Sequence, residues 1–293
     1  MVVVGPTGIG KTRAAFELAR RMGGEVVVAD SRQAYARLHI ATNHPPDEYR
    51  TAVGYHGIEL VDPVVGAVNV HDWLTIALPA IEDIRGRGRT AVVEGGSMLW
   101  VDALTEGFDL AGAPPDPERR QELVATSVEL LAARVRELDP QAAVDFANPR
   151  RLVRAVEILE AHGPPLSARR GQRPPRWPAL RIGLEAPMPE IERRLRQRSR
   201  EQLERGLVEE TRAALDAGVR RDHPVLSGIG YAEALAYIDG AITEEELPQR
   251  MVASNRRYAR RQLGWFRRHP QTNWLPAEPD PVPAMLKLLE SAD

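Results

Sequence analysis

The sequence predicts an α/β fold in which a parallel sheet carries a phosphate-binding loop and is interrupted by a helical insertion. Short apolar runs alternate with helical patterns from residue 2 onward, which is typical of a doubly wound sheet. The segment Gly5–Thr12, between the first run and the first helical pattern, fits G-x-x-x-x-G-K-[ST]. A proline-rich break at 113–117 is then followed by helical patterns, which indicates inserted helices.

Composition excludes several classes of protein. The 293 residues are 43% hydrophobic and 27% charged, which rules out a wholly disordered or fibrous chain. Cysteine is absent, so disulfides, thiolate nucleophiles and cysteine-ligated zinc are excluded. No apolar run reaches the roughly 18 residues of a membrane span, and Met1 leads directly into the first strand. We therefore expect a cytoplasmic protein with no membrane partner.

The core elements follow in order. The apolar or β-branched runs predict buried parallel strands at Val2–Val4, Val26–Ala29, Thr90–Val93 and Leu180–Leu184. Apolar positions with helical periodicity predict helices at Lys11–Met22, Asp72–Arg85, Glu118–Leu138, Arg150–Ala161, Pro189–Ala217, Tyr231–Ile238, Glu244–Arg267 and Pro281–Ser291. The first two of these helices belong to the α/β pattern. The predicted domains are a discontinuous core, 1–110 and 179–293, and a helical insertion, 111–178.

The glycine-rich loop predicts a phosphate site and a P-loop NTPase-like core. Its glycines allow backbone N–H groups to turn towards phosphate oxygens at the start of a helix. Lys11 would supply a positive charge, and the Thr12 hydroxyl is a ligand for Mg²⁺. The alternative is a glycine-rich turn that binds nothing. The residues assigned to diphosphate binding are Gly5, Pro6, Thr7, Gly8, Ile9, Gly10, Lys11 and Thr12.

Two acidic residues follow strands at the same edge of the predicted sheet. Asp30 ends the second strand, where it would accept a proton, hold a metal, or cap a following helix. Glu94 ends the third, either as an acid that orders a metal-bound water or as an exposed carboxylate. The seven histidines show no metal-binding spacing, and we interpret them as surface or packing residues.

Arginine dominates the basic residues, since of 39 only Lys11 and Lys287 are lysines. One group, Arg193, Arg194, Arg198 and Arg200, would either face phosphates or form a solvated helix surface. A second group mixes arginines with aromatic residues, which favours binding to a phosphate backbone. It comprises Arg256, Arg257, Tyr258, Arg260, Arg261, Trp265, Phe266, Arg267 and Arg268.

Several separated blocks together resemble one family, the tRNA dimethylallyltransferases (tRNA isopentenyltransferases), over nearly the whole chain. A phosphate loop alone is common to many proteins, whereas the ordered set is specific. The blocks are Gly5–Thr12, Asp30–Gln33 with Tyr35, Gly95–Leu99, Asn148–Glu157, Gly228–Tyr231, and Arg256–Gln262 with Trp265–Arg267.

The resemblance implies Mg²⁺-dependent transfer of a dimethylallyl group from dimethylallyl diphosphate to N6 of adenosine 37 in tRNAs that read codons beginning with U. It implies that Asp30 takes the N6 proton and that Arg198 neutralises the leaving group. Thr7 and Lys11 would hold the diphosphate, and Thr12 would help to hold Mg²⁺. These roles suit the chemistry, because a delocalised amine is a poor nucleophile that needs a base.

The resemblance also implies a tRNA anticodon stem-loop as partner, with the adenosine flipped out of its stack. The enzyme would be a monomer, with the insertion closing on the stem-loop. Glu94 departs from the family, which has an apolar residue there, and Asn255 stands where threonine is usual. The residues implied to contact tRNA are Asp30, Ser31, Arg32, Gln33, Ser97, Arg120, Arg150, Arg151 and Arg154.

Two other readings stay open at this point. A P-loop kinase of nucleotides or metabolites would need an arginine-rich lid, which Arg169, Arg170, Arg173 and Arg176 would imitate. A non-catalytic P-loop regulator would bind RNA without forming a product. The transferase and the RNA-binding regulator both predict an affinity for RNA that falls steeply as the salt concentration rises.

Overall fold

The computed structural model describes residues 1–107, 116–169 and 176–291. It divides into two compact units, Met1–Val101 with Pro178–Asp293, and Asp102–Trp177. The predicted boundary at 110/111 lies outside the described residues, as do Arg170 and Arg173. Among the described residues, no helix combines the length and apolar character that crossing a membrane requires.

A six-stranded parallel sheet forms the centre of the first unit and confirms the predicted α/β fold. Its order is β3-β2-β4-β1-β5-β6. The strands are β1 (Val2–Val4), β2 (Glu25–Val28), β3 (Tyr55–His56), β4 (Ala91–Glu94), β5 (Arg181–Glu185) and β6 (Asn273–Pro276). β1 pairs with both β4 and β5, so segments that lie far apart in the sequence meet at the sheet centre.

The first unit also contains helices, some of which pack on the sheet. They are α1 (Lys11–Met22), α2 (Asp47–Ala52), α3 (Val70–Gly86), α4 (Met98–Thr105, whose later residues enter the second unit), α8 (Met188–Glu204), α9 (Leu207–Asp216), α10 (Tyr231–Ile238), α11 (Glu246–Phe266) and α12 (Val282–Glu290). Val3, Val26, Val92 and Ile182 from four strands pack with Leu18 of α1 in the core.

The second unit has its own core. Its helices are α5 (Pro117–Ala125), α6 (Val128–Leu138) and α7 (Pro149–His162). Leu131 and Val135 of α6 pack against Leu152 and Val156 of α7. Asn148 caps α7 by accepting from the Arg151 amide, and Pro149 occupies the first turn, where its missing N–H costs nothing.

The sequence patterns missed two strands, the short helices α2 and α4, and two helix breaks. β3 and β6 lie at the edges of the sheet and are too short or too polar to show an apolar run. The predicted helix 189–217 ends at Glu204 and restarts at Leu207, because Gly206 adopts φ of 88°. The predicted helix 118–138 is likewise two helices, since Ser127 caps α6 by accepting from the Leu130 amide.

Candidate functional site

The carboxyl ends of β1, β2 and β4 meet at one edge of the sheet, where each is followed by a turn. The phosphate loop follows β1, Asp30 follows β2, and Gly95 and Gly96 follow β4. A Cβ atom on Gly95 would lie 2.1 Å from the Ala29 carbonyl oxygen, so only glycine fits there. This is the edge at which ligands bind in open parallel sheets.

The loop Gly5–Gly10 curves before α1 as the motif requires. Gly10, the N-cap residue of α1, has φ of 99° and carries no side chain that could cap the first amide groups of the helix. Lys11 lies behind the loop, where its Nζ donates to the carbonyls of Gly5 and Pro6, each at 3.0 Å. Burial lowers the pKa of Lys11, while the nearby Glu94 and Asp30 oppose that effect. The cation therefore holds the loop in its curved conformation.

Arg198 of α8 contacts the loop through Thr7. One of its guanidinium nitrogens donates to Thr7 Oγ1 at 2.8 Å and to Asn255 Oδ1 at 3.1 Å. Its Nε is buried and has no hydrogen-bond partner within the part of the chain that the structure describes. Burial lowers the pKa of Arg198 to about 10, so the group remains charged at neutral pH. A buried cation with an unused donor is suited to an anion.

Asp30 faces the same space. Its Oδ1 accepts from the Arg32 amide at 2.9 Å, and residues 31–34 form turns. It therefore stabilises a turn, and the alternative that it caps a helix is wrong. Burial raises the pKa of Asp30, against the opposing effects of the Arg32 backbone and Lys11. A carboxylate with a raised pKa is a stronger base than one in water.

Glu94 is buried, with 2% of its surface exposed, so the alternative of an exposed strand-end carboxylate is wrong. It accepts from the Thr12 hydroxyl at 3.1 Å. Burial raises the pKa of Glu94 to about 7, Lys11 opposes the shift, and Asp30 adds to it. A hydroxyl and a second carboxylate therefore lie beside the phosphate loop.

A cavity of about 430 Å³ opens in front of these groups. Ser97 borders it and fixes Ser31, whose amide donates to Ser97 Oγ at 2.8 Å. Arg32 also borders it and donates to Ser227 Oγ at 3.2 Å and to the Pro224 carbonyl. The other lining residues are Thr7, Asp30, Ala41, Thr42, Asn43, Met98, Leu99, Trp100, Arg198, Gly228, Ile229, Asn255, Tyr258 and Arg261.

Not every sequence-predicted residue reaches this cavity. Gln33 is buried away from it, where its side chain donates to the Asn43 carbonyl at 3.3 Å. Of the phosphate loop, Thr7 is the residue that lines it. The remaining predicted tRNA contacts, Arg120, Arg150, Arg151 and Arg154, lie in the second unit.

In the second unit, a buried glutamate organises two of these arginines. Glu157 accepts from Arg120 Nε at 2.7 Å and from Arg154 at 3.1 Å. Arg150 and Arg151 are exposed, and Arg151 lies 3.9 Å from Asp145. The unit therefore presents guanidinium groups of defined orientation.

Sequence reasoning assigned no role to Gln262 and Asn255 of α11. Gln262 accepts from the Thr7 amide at 2.8 Å and donates to the Gly96 carbonyl at 2.8 Å. Tyr258 also donates to Gly96, at 2.9 Å, and Asn255 holds Arg198. These residues join the phosphate loop to the turn after β4. Polar residues seven apart on an amphipathic helix, Asn255 and Gln262, were the available signal, because both fall on its buried face.

Comparisons with known proteins agree with this geometry. The family model described as IPP transferase matches residues 33–269. This chain belongs to the IPP transferase family. It is 39% identical to the tRNA dimethylallyltransferase of Thermomicrobium roseum over 94% of this chain and 85% of that protein. It is also 37% identical to the tRNA dimethylallyltransferase of Corynebacterium jeikeium, over 99% of this chain and 95% of that protein.

Solved structures of the IPP transferase family share the fold. The full-length tRNA isopentenylpyrophosphate transferase of Bacillus halodurans superposes with a TM-score of 0.73 at 32% identity, over 99% of this chain and 94% of that one. A eukaryotic dimethylallyltransferase acting on tRNA superposes with a TM-score of 0.79 at 24% identity, over 94% of this chain and 73% of that one. This similarity supports the assignment of the fold. The family match favours neither the kinase nor the non-catalytic regulator.

Proposed function

We propose that this chain is a tRNA dimethylallyltransferase that modifies N6 of adenosine 37, in tRNAs reading codons that begin with U. The products would be N6-(dimethylallyl)adenosine and diphosphate. Family membership supports the reaction class. The observation that carries the proposal is that Asp30 and Arg198 line one cavity, so a base and a buried cation face the same space.

Asp30 takes the proton in this scheme. The N6 lone pair forms a C–N bond to the dimethylallyl carbon while the C–O bond to diphosphate breaks, and the N6 proton passes to the carboxylate. The raised pKa of Asp30 favours that transfer. The Asx-type contact to the Arg32 amide holds the carboxylate in one orientation, which lowers the cost of positioning it.

The departing diphosphate is stabilised by groups that are already oriented. Arg198 has an unused donor, and the uncapped amides at the start of α1 point out of the helix. Thr7 links them, since its hydroxyl accepts from Arg198 and its amide is held by Gln262. Lys11 would exchange its contacts with the loop carbonyls for phosphate oxygens.

Mg²⁺ is part of the proposal, and the oxygen donors beside the loop fit it. The Thr12 hydroxyl already donates to Glu94, and Asp30 follows the neighbouring strand β2 at the same edge of the sheet. Hydroxyl and carboxylate oxygens are the ligands that this hard cation prefers. When bound, it would neutralise charge on the diphosphate. At neutral pH, Glu94 would lose its proton on binding the cation.

The anticodon stem-loop is the proposed RNA partner, and the chain would act as a monomer. Tyr258 and Arg261 line the cavity, with the Arg261 guanidinium 5.1 Å from the ring centre. An aromatic ring with a guanidinium group beside it can stack on a nucleobase that has been flipped out of the RNA stack. Ser31 and Arg32, which line the cavity, would border the flipped adenosine, whereas the buried Gln33 would not reach it. Arg120, Arg150, Arg151 and Arg154 would contact the RNA backbone.

The test is mass spectrometry of nucleosides after incubating an unmodified anticodon stem-loop with the protein, dimethylallyl diphosphate and Mg²⁺. We expect N6-(dimethylallyl)adenosine at position 37, absent without the donor or when that adenosine is replaced by guanosine. RNA binding without this product would contradict the proposal in favour of a regulator. Phosphate transfer from ATP, with no prenylated product, would contradict it in favour of a kinase.

A further inference from the structure

A group of three metal-ligating side chains lies outside the site described above. His39 Nε2 is 3.2 Å from Glu59 Oε1, and His44 Nε2 is 4.0 Å from the same oxygen. The three ligand atoms all lie within 4.8 Å of one another. Bonds of about 2.0–2.1 Å in a tetrahedral zinc site separate ligand atoms by roughly 3.3 Å. Small side-chain movements would therefore bring all three onto one ion.

The hydrogen bonds around His44 fix which ring nitrogen carries its proton. Thr42 Oγ1 donates to the Leu38 carbonyl at 2.6 Å, so the hydroxyl proton is already used. The 2.7 Å contact between Thr42 Oγ1 and His44 Nδ1 then requires Nδ1–H to be the donor. His44 Nε2 consequently presents a lone pair. A second hydrogen bond that fixes the tautomer in this way is the usual support of a metal-bound imidazole.

That lone pair accepts no hydrogen bond from the described residues. The His44 side chain is only 5% exposed, and its Nε2 and that of His39 have no hydrogen-bond partner among residues 1–107, 116–169 and 176–291. A buried acceptor without a partner costs free energy unless something binds it. The His39 side chain is 41% exposed, so solvent and ions reach the group from that side.

The backbone holds the three ligands in place. Glu210 accepts from the amides of His39, at 2.8 Å, and Ile40, and the Glu59 amide donates to the Gln33 carbonyl at 3.0 Å. Arg50 donates to Glu59 Oε1 at 3.0 Å but also pairs with Asp47. Arg50 therefore has a second carboxylate partner when Glu59 turns to an ion.

We propose that His39 Nε2, His44 Nε2 and Glu59 bind one divalent transition metal of the zinc class, with a fourth position left for water. Two imidazoles and one carboxylate form a donor set that zinc takes in proteins. His39 and His44 are five residues apart, which is not the spacing of a known metal-binding motif. The third ligand, Glu59, comes from a separate segment after β3. This is why the sequence analysis interpreted the histidines as surface or packing residues.

The position of the site indicates its effect. Ala41, Thr42 and Asn43 lie between the two histidines and line the cavity that contains Asp30. A metal bound to both ends of this segment, and to Glu59, fixes one wall of that cavity. The inference is independent of the proposed reaction, since it concerns binding of the ion and order of the wall.

The test is a Co²⁺ titration of the full chain without an affinity tag, read by visible absorption. We expect one Co²⁺ per chain with the spectrum of a tetrahedral nitrogen and oxygen site, displaced by Zn²⁺ and unchanged by excess Mg²⁺. His39→Ala alters a half-exposed side chain and should weaken Co²⁺ binding at least tenfold. His71→Ala, an exposed histidine of α3, is the matched control and should bind as the unaltered protein does.

Thermal unfolding provides a second readout that does not depend on activity. Zn²⁺ should raise the melting temperature of the unaltered protein and of His71→Ala, and leave that of His39→Ala and Glu59→Gln unchanged. Circular dichroism in the absence of metal establishes that the variants are folded. A tetrahedral spectrum that persists in His39→Ala, or no saturable Co²⁺ binding by the unaltered protein, would overturn the proposal.

Discussion

Glu25 and Glu94 are buried carboxylates on neighbouring strands, β2 and β4, at opposite ends of the sheet. Glu25 accepts from Arg89 at 2.6 Å, from Arg87 at 3.1 Å, and lies 2.8 Å from His56 Nε2. Hydrogen bonds from Arg87, His56 and Arg89 hold its pKa well below the usual range, although burial opposes them. Burial instead raises the pKa of Glu94 to about 7.

The difference separates a stabilising end of the sheet from a reactive one. Three cationic or hydrogen-bonding side chains stabilise the charged form of Glu25, whereas burial disfavours the charged forms of Glu94 and Asp30 by more than Lys11 offsets. A substrate or ion that brings its own charge would complete the balance at that end. The predictions below test this comparison, beginning with the largest effect.

Asp30→Asn should reduce single-turnover prenyl transfer on the order of 10²–10⁴-fold, because the amide retains the turn but accepts no proton. Affinity for the stem-loop should stay within a few fold, measured by fluorescence anisotropy. Asp216→Asn, an exposed residue at the end of α9, is the matched control. A wild-type rate in Asp30→Asn would remove Asp30 from the role of base.

Arg198→Ala should slow the chemical step about 10²–10³-fold and weaken inhibition by diphosphate, because one buried cation serves both. Arg200→Ala, exposed on the same helix, should leave both quantities unchanged. Rapid-quench kinetics with excess enzyme measure the step directly. An unchanged rate in Arg198→Ala would show that other groups neutralise the leaving group.

Glu94→Gln should stabilise the metal-free protein increasingly as pH rises. The folded-state pKa of Glu94 is raised from 4.5 to about 7, so its contribution to stability is full below about pH 4.5 and is lost as pH rises through 7. The variant should gain roughly 2 kcal/mol between pH 5 and pH 8, less than the whole shift because Glu94 in the unfolded chain is already mostly ionised at pH 5.

Urea unfolding in the presence of a chelator at the two pH values measures this gain. Glu48→Gln, exposed in α2, should show no such dependence. An equal stability difference at pH 5 and pH 8 would contradict the raised pKa.

Glu25→Gln should have the smallest effect of the four substitutions, and it should lower the free energy of unfolding, whereas Glu94→Gln raises it. Its lowered pKa means that its stabilisation is present above the unfolded value of 4.5 and is lost as pH falls. We expect a loss of about 1–2 kcal/mol at pH 8, limited by the exposure of Arg87 and Arg89, with prenyl transfer by the folded enzyme unchanged. A variant that unfolds normally but loses transfer would contradict the separation of the two ends.

The sequence predicted the central strands and the helices with clear periodicity, because burial on both faces leaves an apolar run and one-sided burial leaves a stripe. It predicted Asp30 and the phosphate loop because both follow a strand directly. It could not reveal that Glu94 is buried, since burial depends on β1 and α1 packing around it. The roles of Gln262 and Asn255 depend on contacts across more than 50 residues of chain, which spacing does not encode.

The contact between Gln262 and Thr7 has a consequence for synthesis of the protein. The two residues are 255 positions apart, and β1 needs β5 beside it to complete the sheet. A nascent chain that has exposed the phosphate loop therefore lacks the helix that holds the loop until nearly all residues have left the ribosome. The loop is translated first, and in a chain that terminates before α11 the Thr7 amide lacks its Gln262 partner.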